Sequence, residues 1–449
     1  MDDLLLKLCM ISAKKNDRDS IVSIDSRTIL PGQVFFALPG LNHNGEDYVM
    51  SAVAKGASAV VVSQNVDNCM VPQIVVPNVY EYLIECSEVW RSLFSPHCVA
   101  VTGSNGKTTI RAMIEHVAKK MNLSVCATHG NNNNDLGVAI SLMKLREQHR
   151  FAVFELGANG HNEIARLTQS VKPEISIISN ISECHLSGFG SIDGVVKAKS
   201  EIFTAMSSGK AIVNVDSYGS RFLLTESDHL DVITFGKKAP GVCYGFSNVT
   251  SNKVGNIKFD LSLNFTEDEV ELEVKGEHNI YNACAAIAAL NESGLNLKEV
   301  IIALKSFRGV PRRLERTIIS RGYTLVDDSY NASPASFKAA MATVAKYKGF
   351  KSRWLVCGDM GELGRTTIKL HEQVLTLASD YGFNLMVLGD NMRQAAKNLG
   401  LSAKHASSLA HALELIDNHV QAGDLLVIKG SRFMRMDTIV DKLKQAEHA

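Results

Sequence analysis

Thr102-Gly103-Ser104-Asn105-Gly106-Lys107-Thr108-Thr109 is the densest group of residues in this chain able to do chemistry. Glycines at 103 and 106 let a tight turn bring several backbone N–H groups to one point. An anion is favoured there, more so if a helix N-terminus adds its partial positive charge. Lys107 supplies a mobile cation for outer phosphates, and the Thr108 hydroxyl can join the shell of a Mg²⁺ ion. Gly103, Ser104, Asn105, Gly106, Lys107, Thr108 and Thr109 therefore read as a nucleoside triphosphate site, with Mg²⁺ as an expected companion. The usual spacing GxxxxGK[ST] needs Gly at position 101, which is Val, so the loop is a compact GxxGKTT variant. A Gly-rich turn before an ordinary helix is the plainer alternative, and the coincidence of strand, glycines, lysine and double threonine weighs against it.

Other candidates are scattered. Glu155 follows the apolar run 151–154 and could hold Mg²⁺ beside a phosphate loop, or could simply cap the next helix. His185 also follows a strand-like run, 175–178; a lone histidine there is more often structural, but paired with Glu155 it allows a second divalent site. Lys199 by itself reads as a solvated helix lysine. Asn279 and Asn282 either cap the Ala-rich helix that follows or, three residues apart on one face, read a base edge. Arg312, Arg313 and Arg316 form either a polar linker or, across a cleft, an arginine that stabilises phosphoryl charge. Asp327-Asp328 ends a strand and Ser333-Pro334 starts a helix; two acids exceed what capping needs.

Those residues need buried strands with loops at their carboxyl ends. Strand-like runs occur at 34–38, 59–62 and 74–76, with a helix over 48–55, so residues 1–95 form a small α/β unit. Residues 96–309 begin with the apolar run 98–101 and continue through 151–154, 175–178 and 211–215 with helices between, predicting a mostly parallel sheet. Alternation over 258–274, with Phe259, Leu261, Leu263 and Phe265, then Val270, Leu272 and Val274, predicts an antiparallel edge hairpin turning around Thr266-Glu267-Asp268. An Ala-rich helix over 282–290 follows. Residues 310–449 read strand (323–326), helix (334–347), strand (353–357), helix, strand (385–388), two helices and strand (425–428). Several of these strands end in glycine, where open α/β sheets hold ligands. The fold class is thus α/β in three domains: a small N-terminal module, a central nucleotide-binding sheet and a C-terminal Rossmann-like domain.

The chain of 449 residues exceeds the size at which one core stops growing. Hydrophobic residues make up 45% and charged residues 21%, ordinary for a globular protein. Lys+Arg and Asp+Glu are both 47, so charge gives no reason to invoke nucleic acid. The nine cysteines are scattered without a CxxC pair, which points to reduced thiols of a cytoplasmic protein rather than a disulfide framework. Leu4-Leu5-Leu6 follows Asp2 and Asp3 and lacks a basic segment, so neither a secretory signal nor membrane insertion is expected.

Taken together the segments resemble the Mur ligases, the ATP-dependent amide ligases of peptidoglycan precursor synthesis. The motifs occur in the family's order: GSNGKTT, ELGAN at 155–159, NIS-CHL-GFGS across 180–191, AKSEI at 198–202, GEHNIYN at 276–282, RRLER at 312–316 and DDSYNASP at 327–334. IDSRTILPGQVFFALPG at 24–40 looks like the family's UDP-sugar module. CGDMGELG at 357–364 and KGSR at 429–432 point to the branch that joins D-alanyl-D-alanine to UDP-N-acetylmuramoyl-tripeptide. The DNPR motif of the diaminopimelate-adding branch is absent. The resemblance implies that Lys107, Thr108, Glu155 and His185 serve phosphate and magnesium, and that Lys199 is a carbamate ligand of a second metal. It implies that Asn279 and Asn282 face adenine, while Arg313 and Asp328 reach the nucleotide as the C-terminal domain closes. Ser26, Arg27 and Asn44 fall where UDP is held, Asn133 and Asn134 where the muramoyl-peptide is gripped, and Asn331 with the substrate. The implied partners are small molecules and the implied state is a monomer. Three positions depart from the pattern: Ser333 replaces Asn before Pro334, Asp135 replaces Glu and Ala139 replaces Pro.

Overall fold

The computed structural model describes residues 20–445 apart from 41–42, 253–255 and 265; Leu4, Leu5, Leu6 and Phe265 lie outside the described residues. The first sheet is parallel throughout, in the order β1-β2-β3-β4. It comprises β1 (Val22–Ser23), β2 (Val34–Phe36), β3 (Ala59–Val62) and β4 (Gln73–Val75). Its central strands are apolar without interruption because both faces are covered. Phe35, Val60 and Val62 pack under the helix Val49–Ala54, while Val34, Phe36 and Val61 pack against Leu83 and Trp90 of the helix Val79–Ser92. The two sets alternate residue by residue, as a pleated strand requires. The second set continues into the core that holds Ala152 and Phe154, so the first sheet and the central one share a core.

The central sheet comprises β5 (His97–Thr102), β6 (Val125–Ala127), β7 (Phe151–Glu155), β8 (Ile175–Ile178), β9 (Lys210–Asn214), β10 (Asp231–Lys237), β11 (Tyr244–Ser251), β12 (Ile257–Leu263) and β13 (Thr266–Leu272). Its order is β13-β12-β11-β10-β9-β8-β5-β7-β6, parallel from β6 to β11 and antiparallel at the β11–β13 edge. The chain runs from β5 out to β6, back to β7 and then across to β8, so β5 lies at the reversal of strand order, where α/β sheets open a crevice. The hairpin turn falls earlier than expected. Leu263 pairs with Thr266, so Thr266, Glu267 and Asp268 belong to β13 and the turn precedes them. Asn264 takes φ +48°, a left-handed conformation that Asn tolerates better than most residues.

The third sheet comprises β14 (Glu315–Ile318), β15 (Thr324–Asp328), β16 (Arg353–Gly358), β17 (Asn384–Leu388), β18 (Ala403–Ala406) and β19 (Leu425–Lys429). Its order is β14-β15-β19-β16-β17-β18, with only β14 antiparallel. Two strands correct the sequence reading. β14 begins inside the basic segment read as either a polar linker or a cleft arginine, and β18 separates two helices expected to be consecutive. Both are edge strands with alternating or polar residues, which is why neither announces itself as an apolar run. Among the described residues no helix is long and apolar enough to cross a membrane, and every described cysteine is a free thiol.

Candidate active site

β5 delivers the chain into the glycine loop, and the helix Lys107–Lys120 leads it away. The loop closes on its neighbours too tightly for side chains. A Cβ on Gly103 would lie 2.1 Å from Ser179 Oγ, and one on Gly106 would lie 2.3 Å from Asn282 Oδ1. Both glycines also have positive φ, +133° and +85°. The segment after β8 braces the loop. Ser104 N donates to Asn180 O at 2.8 Å, Asn105 N to Asn180 Oδ1 at 3.2 Å, and Ser179 Oγ to Asn105 O at 2.6 Å. Lys107 Nζ lies back across the loop, donating to Gly103 O at 2.7 Å. First-turn amides of a helix have no intrahelical acceptor, so this cradle suits phosphate.

Glu155 ends β7, paired in register with Val101 of β5, and is 3% exposed. Its Oε2 accepts from Thr108 Oγ1 at 2.8 Å and its Oε1 from Asn133 Nδ2 at 2.9 Å, while its backbone N–H donates to Thr128 Oγ1 at 3.0 Å. From the far side, Arg313 Nη2 donates to the same Thr108 hydroxyl at 3.0 Å. The Arg313 guanidinium lies 4.6 Å from the Tyr330 ring, and its buried Nε has no partner. Glu155 and Thr108 offer hard oxygens, the donor type Mg²⁺ takes alongside phosphate oxygens and water. Among the described residues no group of three His, Cys, Asp or Glu side chains could hold a metal ion by itself.

Lys199, on the helix Ile192–Thr204, is 1% exposed. Burial, aided by the nearby Lys107 charge, pushes its ammonium down to about 8, and Nζ sits 5.3 Å from the Phe189 ring. His185, in left-handed backbone at φ +50°, pairs through Nδ1 with Glu362 of the third-sheet loop rather than with Glu155. That pairing holds the Glu362 carboxyl below its usual range.

The capping alternative for Asn279 and Asn282 is overturned, because the helix starts earlier, at His278, and both asparagines lie within it. Asn279 Nδ2 donates to Lys275 O at 2.7 Å and Asn282 Nδ2 to Asn279 Oδ1 at 2.8 Å, with Asn282 Oδ1 lying against Gly106. Asp328 pairs with Lys429 at 2.7 Å and accepts from Leu314 N at 3.2 Å; burial raises its carboxyl above the usual range. Asn331 Oδ1 accepts from Ala332 N at 2.9 Å. Asn133 is engaged with Glu155, and Asn134 caps the helix Asp135–Leu142 by accepting from Gly137 N at 3.0 Å. The departing Asp135 is paired with Arg166.

One cleft of about 1690 Å³ joins the glycine loop, Glu155, Asn133, Asn134, His185, Lys199, Asn279, Asn282, Arg313, Asp328 and Asn331. It is larger than a single small-ligand pocket, leaving room for a nucleotide and an acceptor together. Ser26, Arg27 and Asn44 are not among its walls. Ser26 is buried in the first unit, Arg27 pairs with Asp25 at 2.7 Å, and Asn44 caps a short 3₁₀ turn. His278, Lys429 and Glu362 are among the wall residues that escaped individual notice in the sequence. The first two sit in the quoted motifs GEHNIYN and KGSR, and Glu362 in CGDMGELG, but no spacing rule singles them out. Burial, then the Lys429 and Arg313 charges, push the His278 imidazole down to about 4.

Comparison with known proteins finds the same architecture elsewhere. Residues 20–90 match the family model described as "Mur ligase family, catalytic domain", residues 101–290 "Mur ligase middle domain" and residues 312–432 "Mur ligase, glutamate ligase domain". The UDP-N-acetylmuramoyl-tripeptide–D-alanyl-D-alanine ligase of Haemophilus influenzae is 35% identical over 94% of this chain and 93% of its own length. The enzyme of the same name from Escherichia coli is 33% identical, again over 94% and 93%. A crystal structure of MurF from Acinetobacter baumannii superposes with a TM-score of 0.86 at 29% identity, covering 98% of both chains. The MurF ligase of Thermotoga maritima, solved in complex with ADP, shares the fold at a TM-score of 0.83 and 22% identity, covering 97% of this chain and 99% of its own.

Proposed function

The chain belongs to the Mur ligase family, and from that premise we propose that it joins D-alanyl-D-alanine to UDP-N-acetylmuramoyl-tripeptide at the expense of ATP, forming the pentapeptide precursor of peptidoglycan. The observation that carries this reading is the Thr108 hydroxyl held between Glu155 and Arg313, beside a loop built for phosphate.

A carboxylate resists attack by an amine because its charge is delocalised. Moving the γ-phosphoryl group of ATP onto it gives an acyl phosphate, which the free amine of D-alanyl-D-alanine attacks with release of phosphate. The first step brings anions together, so positive charge must be fixed in place beforehand. Gly103, Ser104, Asn105, Gly106 and Thr109 would cradle the phosphates, with Lys107 and Arg313 as the cations. Mg²⁺ would be held by Glu155 and Thr108 and would neutralise charge between the outer phosphates. His185 and Lys199 would serve a second ion, Lys199 as a carbamate; an amine brought down to about 8 is neutral often enough at neutral pH to take up carbon dioxide. Asn279 and Asn282 would lie on the adenine side, with Asp328 fixing Lys429 at the nucleotide's far edge. The acceptor would lie along Asn133, Asn134 and Asn331, with its UDP end at Ser26, Arg27 and Asn44. We read the domains as 1–95, 96–309 and 310–449, and the protein as a cytoplasmic monomer.

The test is ADP formation from ATP with both, either or neither of the two acceptors. Repeated turnover to ADP is expected only with both, and to be abolished in Lys107→Ala and Glu155→Ala. Turnover without the dipeptide would overturn the reaction; full activity in either variant would remove that residue from it.

A further inference from the structure

The loop after β16, residues 359–363, is held from three sides. Asp359 Oδ1 accepts from Met392 N at 2.8 Å, and Asp359 Oδ2 from Asn391 N at 3.1 Å. His371 Nε2 accepts from Met360 N at 2.9 Å, its Nδ1 facing Thr367 O at 2.7 Å. Gly361 N donates to Ser431 Oγ at 2.9 Å, across the join between β16 and β19. This scaffold leads to Glu362, whose backbone is left-handed at φ +61°. From there the Glu362 carboxylate meets His185 Nδ1, and its carbonyl accepts from Ser187 N at 3.2 Å. His185 is itself left-handed at φ +50°, and the adjacent Leu186 is half-buried against both the central core and the third-sheet core. Two unfavourable backbone conformations meeting at one ion pair cost energy that an incidental contact does not need.

We propose that Glu362 is a positioning residue for His185, supplied by the third sheet, so that His185 is oriented for the reaction only when that sheet is closed on the central one. The Glu362 carboxylate set beside Nδ1 restricts how the imidazole can turn and so how it faces the cleft. The pairing therefore couples closure to assembly of the site, and it rests on the ligase reading above. The pair orients a side chain rather than cradling phosphate, so its loss is expected to act on turnover.

The experiment uses the full chain with Glu362→Ala, Glu362→Gln, His185→Ala and the double variant Glu362→Ala/His185→Ala. Glu362→Ala is expected to lower kcat about 10- to 100-fold with little change in KM for ATP. The double variant should lose no more than the worse single one. In ¹⁵N-histidine spectra, Glu362→Ala should shift the one histidine signal that His185→Ala removes, and Glu362→Gln should shift it less. Multiplicative losses in the double variant, or a His185 signal unmoved by Glu362→Ala, would overturn the proposal. If the wild-type protein lacks the proposed ligase activity, the spectra still decide whether Glu362 orients His185.

Discussion

At the scale of residues, the site gathers side chains whose ordinary chemistry is altered by what surrounds them. His278 is half-buried in the cleft wall, and its desolvation together with the Lys429 and Arg313 charges pushes its imidazole down to about 4 from the ordinary 6.5. The unfolded chain therefore binds one more proton than the folded one between those values, and stability falls as pH falls from about 6.5 to about 4. Below the lower value both states carry the proton and the loss is complete. Scanning calorimetry is expected to show a steeper acid decline for the wild type than for His278→Gln across that window; parallel curves would mean that His278 contributes nothing to it. Lys199 is the same physics at a lysine: enclosed, it gives up its charge more readily than any surface lysine.

At the scale of elements, helix starts and strand edges do more than hold shape. Ser333 opens the helix Pro334–Ala345 with a reciprocal cap: its Oγ accepts from Ser336 N at 3.3 Å, and Ser336 Oγ accepts from Ser333 N at 2.8 Å. The same hydroxyl reaches Asn105 Oδ1 of the glycine loop at 3.3 Å, so the cap also ties the third sheet to the central one. Ser333→Ala is expected to cost about 1 kcal/mol in denaturant unfolding, and Ser333→Asn to recover it, since Asn caps as well as Ser. An Ala variant as stable as the wild type would show that the cap contributes little. The Ser at this departure from the resembled pattern thus caps the helix on its own. Edge strands were the elements least legible in the sequence. β14 is exposed at alternate residues and β18 is only half-buried along most of its length, so neither carries the apolar run that marked β5 or β8.

At the scale of the molecule, three sheets reduce to two cooperative bodies. The helix Val79–Ser92 is locked to the central unit by Trp90 Nε1 donating to Leu145 O at 3.1 Å and Arg91 Nε to Val171 O at 2.7 Å, within one continuous core. The third sheet has two cores of its own, one on each face. Calorimetry of the full chain is accordingly expected to resolve two transitions, one joint and one for the third sheet; three would mean that the first sheet unfolds independently. The glycine loop, the parallel strands and the order of the motifs were readable from the chain because each depends on residues close together in it. A turn, a helix start and an apolar run are local consequences of side-chain type. The meeting of Thr108 with Glu155, 47 residues away, and with Arg313, 205 residues away, was not. Nor was the burial that turns Lys199 from a surface lysine into a readily deprotonated one, or the pairing that commits His185 to Glu362. Those depend on distance and on exclusion of water, and only packing sets either.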